Sequence, residues 1–251
     1  MSSKNESIGK TLAVVVALCL VCAIIVSFAS VQLRPLQQAN KTQDIQKNIL
    51  AAAEIENSGS VSDTFNAKIE SRVVDMNTGD FVKDVDPSSF DFEQTKFDPK
   101  RSFALKDKGI KDTAGIQRMT KNSPVYISKK ADGSTDAIIL PIQGYGLWGI
   151  MYGFLALESD GETVKNIIFY KHQETPGLGG EIQNPQWTSK WEGKELPIDV
   201  VKGNASGNEH KVDGISGATL TSNGVEHTVD FWTGKNGFGP FLAKVRKGAL
   251  N

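Results

Sequence analysis

Beyond residue 22 the chain contains no cysteine; its two, Cys19 and Cys22, lie in one apolar N-terminal run. A disulfide framework is excluded, and so is a thiolate-ligated cluster in the polar remainder. Neither cysteine fits a lipoprotein cleavage box, because Leu18 and Val21 stand where a small residue is required. Their C-x-x-C spacing reads as two small packing residues on one helix face. Histidine is nearly as scarce: His172, His210 and His227 are the only three, and their spacing matches no metal-ligand pattern. Neither sign of charge dominates, since 28 Lys and Arg against 29 Asp and Glu leave −1. With no long basic run, nucleic acid is not expected as a partner. There is no Ser-His-Asp order, no G-x-G-x-x-G fingerprint and no Gly-Lys-Ser/Thr phosphate loop.

What is present begins with Thr11 to Leu33, which contains no Asp, Glu, Lys, Arg or His and is bracketed by Lys10 and Arg34. At 1.5 Å per residue it spans about 34 Å, enough for a bilayer core. A cleaved signal peptide has a shorter apolar region, ~7–15 residues, so an uncleaved anchor in contact with lipid is expected. A lone helix without an ionisable group is a poor ion conductor. Lys4 and Lys10 before the run nearly balance Arg34, Lys41 and Lys47 after it, so charge does not set its orientation. The expected organisation is a short tail over 1–10, a transmembrane helix over 11–33, a juxtamembrane helix over 34–56 and a domain over 57–251. Within that third segment, Gln37 to Ile55 carries helix-spaced Ile45, Ile49 and Leu50.

Asn57 to Asp136 is polar and rich in turn signals, so short strands and irregular structure are expected there. Strands are expected over Ala137–Pro141, Met151–Leu157, Val164–Tyr170 and Ile198–Val201, and a helical turn over Gln186–Trp191. Val225, Val229 and Trp232 follow i, i+4, i+7 spacing, which predicts an amphipathic helix over Thr221–Trp232. A last short helix begins at Phe241. The fold class is α+β: after the single anchor, a curved, mostly antiparallel sheet with helices packed on it.

Three Gly-rich segments are candidates for one pocket: Gly144 to Gly149, Glu174 to Glu181, and Asp213 to Ser222. Taken singly, each reads as a tight turn. Taken together, their chemistry suits a planar, phosphorylated ligand. Trp148 and Leu178 can cover the faces of an aromatic ring. Thr175 and the N–H groups of Gly177, Gly179 and Gly180 can meet ring heteroatoms. Glu174 and Glu181 are either solvated loop carboxylates or partners of a ligand hydroxyl or ring N–H. Ser216, Gly217, Ala218, Thr219, Leu220, Thr221 and Ser222 place small residues and several hydroxyls where a helix begins, a position that attracts phosphate. Thr219, Thr221 and Ser222 are the candidate phosphate contacts.

Ser216-Gly217-Ala218-Thr219 after Asp213-Gly214 resembles the flavinylation motif of membrane-anchored FMN-binding domains. The anchor, the Leu147-Trp148 loop, Glu174-Thr-Pro-Gly-Leu-Gly-Gly-Glu181 and Gly237 to Arg246 are similar to the C subunit of the sodium-translocating NADH:quinone oxidoreductase. The resemblance covers essentially the whole chain, most weakly between Asn57 and Lys129. It implies FMN held covalently by a phosphoester to Thr219, attached by a flavin transferase that uses FAD, with Thr221 and Ser222 as capping or phosphate-contacting neighbours. It implies electron transfer from an iron–sulfur centre of membrane subunits to a second flavin subunit. No catalytic residue and no metal ligand is implied on this chain. It further implies a single-pass protein of the bacterial inner membrane with its domain in the periplasm, where a lost cofactor is not replaced from the cytoplasmic pool. The homologous flavin subunit of the ferredoxin:NAD oxidoreductase complex, and a non-redox anchored binding module, are the alternatives.

Overall fold

The structure, a computed structural model, describes residues 8–57, 59–83, 85–87, 90 and 95–250. Residues 1–7 of the expected tail lie outside that set. The chain divides into two units, the first ending at Ile45 and the second starting at Gln46.

The first unit is helical. Helix α1 runs Ile8–Ala52 without a break, so the two segments expected as transmembrane and juxtamembrane helices form one element. Pro35 lies inside it and removes one backbone donor from the ladder. Its apolar 18-residue window has a mean hydropathy of 3.1 and is nowhere buried. By length and composition the helix can cross a membrane.

The globular unit takes in the last turns of α1, where Ile49, Leu50 and Ala52 are buried. The sequence pattern starts the domain at residue 57; these buried side chains move its beginning into the helix. Ser62 Oγ donates to Gln46 Oε1 (2.9 Å), and Asn166 Nδ2 donates to the Ala51 carbonyl (3.3 Å). Helix α2 (Val61–Lys68) starts where Ser60 Oγ accepts from the Asp63 N–H, with Asp63 itself in the first turn.

The main sheet has five antiparallel strands in the order β1-β4-β5-β6-β7: Ile69–Asp75, Asn122–Lys129, Thr135–Tyr145, Ile150–Glu158 and Val164–Lys171. Strands β2 (Ser102–Ala104) and β3 (Arg118–Thr120) form a small antiparallel pair, while β8 (Asp199–Val201) and β9 (Lys211–Asp213) pair in parallel. The expected α+β class is the observed one. Strand β5 is buried along almost its whole length, with only Tyr145 exposed. Side chains alternate across a strand, so such a run needs cover on both faces. Ile138, Leu140 and Ile142 join a core with Val225, Val229 and Trp232. On the opposite face Phe65, Tyr126, Phe154 and Tyr170 follow one another at ring-centroid distances of 6.1, 6.1 and 5.3 Å.

The Gln186–Trp191 turn is a one-turn helix α3 (Pro185–Thr188) followed by a 3₁₀ turn; Trp187 and Trp191 pack edge to face beneath it. The amphipathic helix α4 runs Thr219–Thr233, beginning two residues before its expected start. Helix α5 (Gly239–Val245) closes the core with Phe241, Leu242 and Val245. Trp232 Nε1 donates to the Gln143 carbonyl (2.7 Å), which locks α4 across β5.

Candidate functional site

Strand β9 ends at Asp213, whose carbonyl accepts from Trp187 Nε1 (2.8 Å) and whose carboxylate accepts from the Ala205 N–H (3.0 Å). The Gly214 N–H then donates to the Val201 carbonyl (2.8 Å), carrying the chain off the β8–β9 pair. Gly217 takes a left-handed φ of +75°, which a side chain disfavours. The turn leads straight into α4, with Thr219 as its first residue and Ala218 at the N-cap. Ala218 offers no side-chain acceptor, so the N–H groups of Thr219, Leu220 and Thr221 have no intrahelical partner. Four hydroxyls surround this helix start, and their positions separate them. Thr219 and Ser216 are exposed, whereas Thr221 and Ser222 are buried. Ser222 Oγ accepts from the Ile215 N–H (2.9 Å). Thr221 Oγ1 donates to Glu174 Oε2 (2.5 Å). Both buried hydroxyls thus have partners within the protein, whereas that of Thr219 is exposed.

The second segment follows β7. Gly177, at φ +74°, turns the chain, and the Thr175 carbonyl accepts from both Leu178 N–H (3.1 Å) and Gly180 N–H (2.8 Å). The Gly180 donor is thus spent inside the loop and is removed from the candidate ring contacts. Thr175, Gly177 and Leu178 are exposed, while Gly179 is buried. Glu181 accepts from Asn184 Nδ2 (2.6 Å). Glu174 is not a solvated carboxylate, because only 4 % of it is exposed. Its Oε1 accepts from the backbone N–H groups of Leu147 and Trp148, both at 3.0 Å.

Those two N–H groups belong to the third segment. Gly144 and Tyr145 complete β5, so the loop proper is Gly146–Gly149, closed by the Gly146 N–H to the Gly149 carbonyl (2.8 Å). The hairpin tip holds Leu147 and Trp148 out of the core.

The three Gly-rich segments therefore meet. A Cβ on Gly217 would lie 3.3 Å from Leu178 Cδ2, and one on Gly179 would lie 2.5 Å from Thr221 Oγ1. A Cβ on Gly224 would lie 2.5 Å from the Tyr145 carbonyl oxygen, so α4 crosses the hairpin at backbone contact. Gly224, Tyr145 and His172 escape the sequence pattern. A glycine in mid-helix is the available signal for the first. His172 Nδ1 accepts from the Glu174 N–H (3.1 Å) at the base of the loop.

Tyr145, Leu147, Trp148, Leu178 and Leu220 are exposed large hydrophobic side chains; outside α1, the only other one among the described residues is Phe97. Such a concentration marks a binding surface. An exposed apolar surface beside a helix start with unpaired N–H groups and one exposed Thr suits a flat ring joined to a phosphate. The residues present fit FMN. Among the described residues no group of three His, Cys, Asp or Glu is placed to hold a metal.

Residues 146–233 match the FMN-binding domain family. Over 259 residues the chain is 50 % identical to the C subunit of the Na(+)-translocating NADH-quinone reductase of Vibrio anguillarum, covering 100 % of both chains. The Yersinia pestis counterpart is 48 % identical over 98 % of this chain and 96 % of its own. Among solved structures, Shewanella oneidensis NqrC superposes with a TM-score of 0.78 at 31 % identity, over 84 % of this chain and 100 % of that one. The Parabacteroides distasonis counterpart gives 0.64 at 29 % identity, over 84 % and 96 %. The chain, with its three loops converging on the start of α4, belongs to the NqrC family, the C subunits of Na(+)-translocating NADH-quinone reductase.

Proposed function

We propose that this protein is the flavin-carrying subunit of a sodium-translocating NADH:quinone oxidoreductase and that FMN is joined to Thr219 by a phosphoester. One observation carries the assignment of the acceptor: Thr219 is the exposed hydroxyl on the first turn of α4, while Thr221 and Ser222 are buried and engaged. Ser216 is also exposed but precedes the helix by three residues. The bound group would supply one- and two-electron carriage. The chain's own part is to hold a phosphate at the helix start and to flank a ring with Trp148 and Leu178. Thr175, Gly177 and Gly179 belong to the loop that carries Leu178, and Ser216, Gly217, Ala218 and Leu220 to the turn and helix start that carry Thr219.

In this reading the protein takes electrons from an iron–sulfur centre of membrane subunits and hands them to a second flavin subunit. Sodium movement belongs elsewhere in the complex, consistent with a span that carries no ionisable group between Thr11 and Leu33. Helix α1 is its single anchor in the inner membrane, in contact with lipid, and the domain faces the periplasm. A flavin transferase completes the protein there.

The test is intact mass of the wild type beside Thr219→Ala, each produced with the transferase. One FMN-sized adduct on the first and none on the second is expected, with a fluorescent band surviving denaturation only in the wild type. An adduct that persists on Thr219→Ala moves the attachment to Ser216. A colourless wild type refutes the reading.

A further inference from the structure

Among the described residues Glu174 is the one buried carboxylate, and its two oxygens join all three loops. Oε1 takes the Leu147 and Trp148 N–H groups at 3.0 Å, and Oε2 takes the Thr221 hydroxyl at 2.5 Å. These partners are 27, 26 and 47 residues away in sequence. Two glycines make room for it. A Cβ on Gly146 would stand 2.5 Å from Oε1, and one on Gly179 would stand 2.7 Å from Oε2. Real Cβ atoms do not approach so closely, so a side chain at either position would drive the carboxylate out. From behind, the Glu174 N–H is held by His172 Nδ1 (3.1 Å). The glycines that look like loop flexibility are thus space reserved for one acid.

We propose that Glu174 is a positioning residue for the flavin. It fixes the Trp148 loop and the Leu178 loop to the first turn of α4, and so sets the width and polarity of the ring cleft. This rests on the FMN reading above. Geometry and charge both support it. A carboxylate accepts only, and each of its three partners is a donor. Charged acceptors give the stronger hydrogen bonds, more so in a site shut off from water. Without the acid, the Leu147 and Trp148 N–H groups lose their acceptor, and the polar link from the hairpin tip to Thr221 of α4 is gone. A negative charge bonded to the backbone of Trp148 also disfavours added electrons on a ring held there.

The experiment uses the full chain, co-produced with the transferase and purified in detergent, as Glu174→Ala, Glu174→Gln and Thr221→Val. Signals are taken per covalently bound flavin, so that differences in loading drop out. The readouts are the induced visible circular dichroism of the flavin and its midpoint potential. Glu174→Ala is expected to lose the induced dichroism, because the ring is no longer held in one asymmetric setting. Glu174→Gln retains shape: its oxygen serves the two N–H groups and its amide donates to Thr221 Oγ1. It is expected to restore the dichroism and to shift the midpoint potential upward, since a neutral amide replaces a charge. Thr221→Val cuts one of the three ties and should give an intermediate dichroism. Wild-type dichroism and potential in Glu174→Ala would overturn the proposal. So would a Glu174→Gln as deficient as Glu174→Ala. Should Glu174→Ala not accumulate, wild-type dichroism in Thr221→Val together with an unshifted potential in Glu174→Gln overturns it. A wild type with no adduct by mass overturns both this inference and the FMN reading. An adduct on Thr219 with unaffected variants overturns this inference alone.

Discussion

Replacing Gly144 by Ala should lift α4 off the sheet. A Cβ built there overlaps the Thr228 hydroxyl and lies 2.9 Å from Thr228 Cβ and 3.1 Å from Cγ2, where ordinary contact is 3.4–4 Å. Thr228 cannot simply turn away. It is fully buried and its Oγ1 donates to the Gly224 carbonyl at 2.6 Å. Rotating it gives up that bond, about 1 kcal/mol, and still leaves the Cβ–Cβ approach too short. The remaining overlap must be relieved by moving the helix, at roughly 1–3 kcal/mol for an overpacked core. The sum is about 2–4 kcal/mol. For a domain of this size each kcal/mol moves Tm by about 2–4 °C, so a fall of roughly 5–15 °C is expected. The assay is thermal and urea unfolding of the detergent-solubilised chain for Gly144→Ala, Thr228→Ala and the double variant. Thr228→Ala removes the two overlapping γ atoms but not the Cβ, so it should rescue Gly144→Ala in part, with a coupling of at least ~1 kcal/mol. A Gly144→Ala within ~0.5 kcal/mol of wild type, or strictly additive singles, would refute the close seating of α4 on β5.

Phe154→Ala removes one of the two inner rings of the Phe65–Tyr126–Phe154–Tyr170 series and should cost about 3–5 kcal/mol by urea unfolding, with α4 and its face unaltered. Trp187→Phe deletes the Nε1 donor to the Asp213 carbonyl and should cost ~1–2 kcal/mol, read by the same method. Asp160 has its carboxyl held below the ordinary 3.8: burial pushes it up, but Thr163, the Glu162 and Thr163 N–H groups and Arg246 outweigh that. A depressed value means stability present above pH 3.8 and lost as pH falls through the lowered value. Asp160→Asn should therefore be less stable than wild type at neutral pH, and the gap should close below pH 3.8. A gap that stays constant down to about pH 2 would remove the ionised form from the account.

The strongest sequence signals are those that burial writes directly into residue type. The uncharged run of α1, the apolar strands β5 to β7 and the periodic face of α4 stand where expected. Strands β1 and β4 do not stand out in the sequence, because Ser71 and Arg72 in one and Pro124 and Ser128 in the other interrupt their apolar pattern. Edge position and partial exposure allow those polar residues in β1. At the site, the motif points to Thr219, but the separate fates of the hydroxyls at 221 and 222 depend on Glu174 and Ile215, which only the folded chain brings near. The role of Glu174 is illegible for the same reason: its partners lie on other loops, and a lone Glu among glycines reads as solvated. Gly146 and Gly179 read as turn residues, whereas the reason for them is the acid between them.

The tie between Trp232 and Gln143 joins positions 89 residues apart, and that between Thr221 and Glu174 spans 47. Closing such intervals costs chain entropy before any contact repays it, so these pairings form late relative to local helix and hairpin. Helix α4 also needs the C-terminal Phe238, Phe241 and Leu242 to complete the core it sits in. The exposed hydroxyl of Thr219 thus stands on a helix whose buried face is completed by residues 238–242. A chain that stalls halfway has the motif in its sequence but no cleft beside it. Under the reading proposed above, the attached flavin would be a colour-coded record that folding had reached its end.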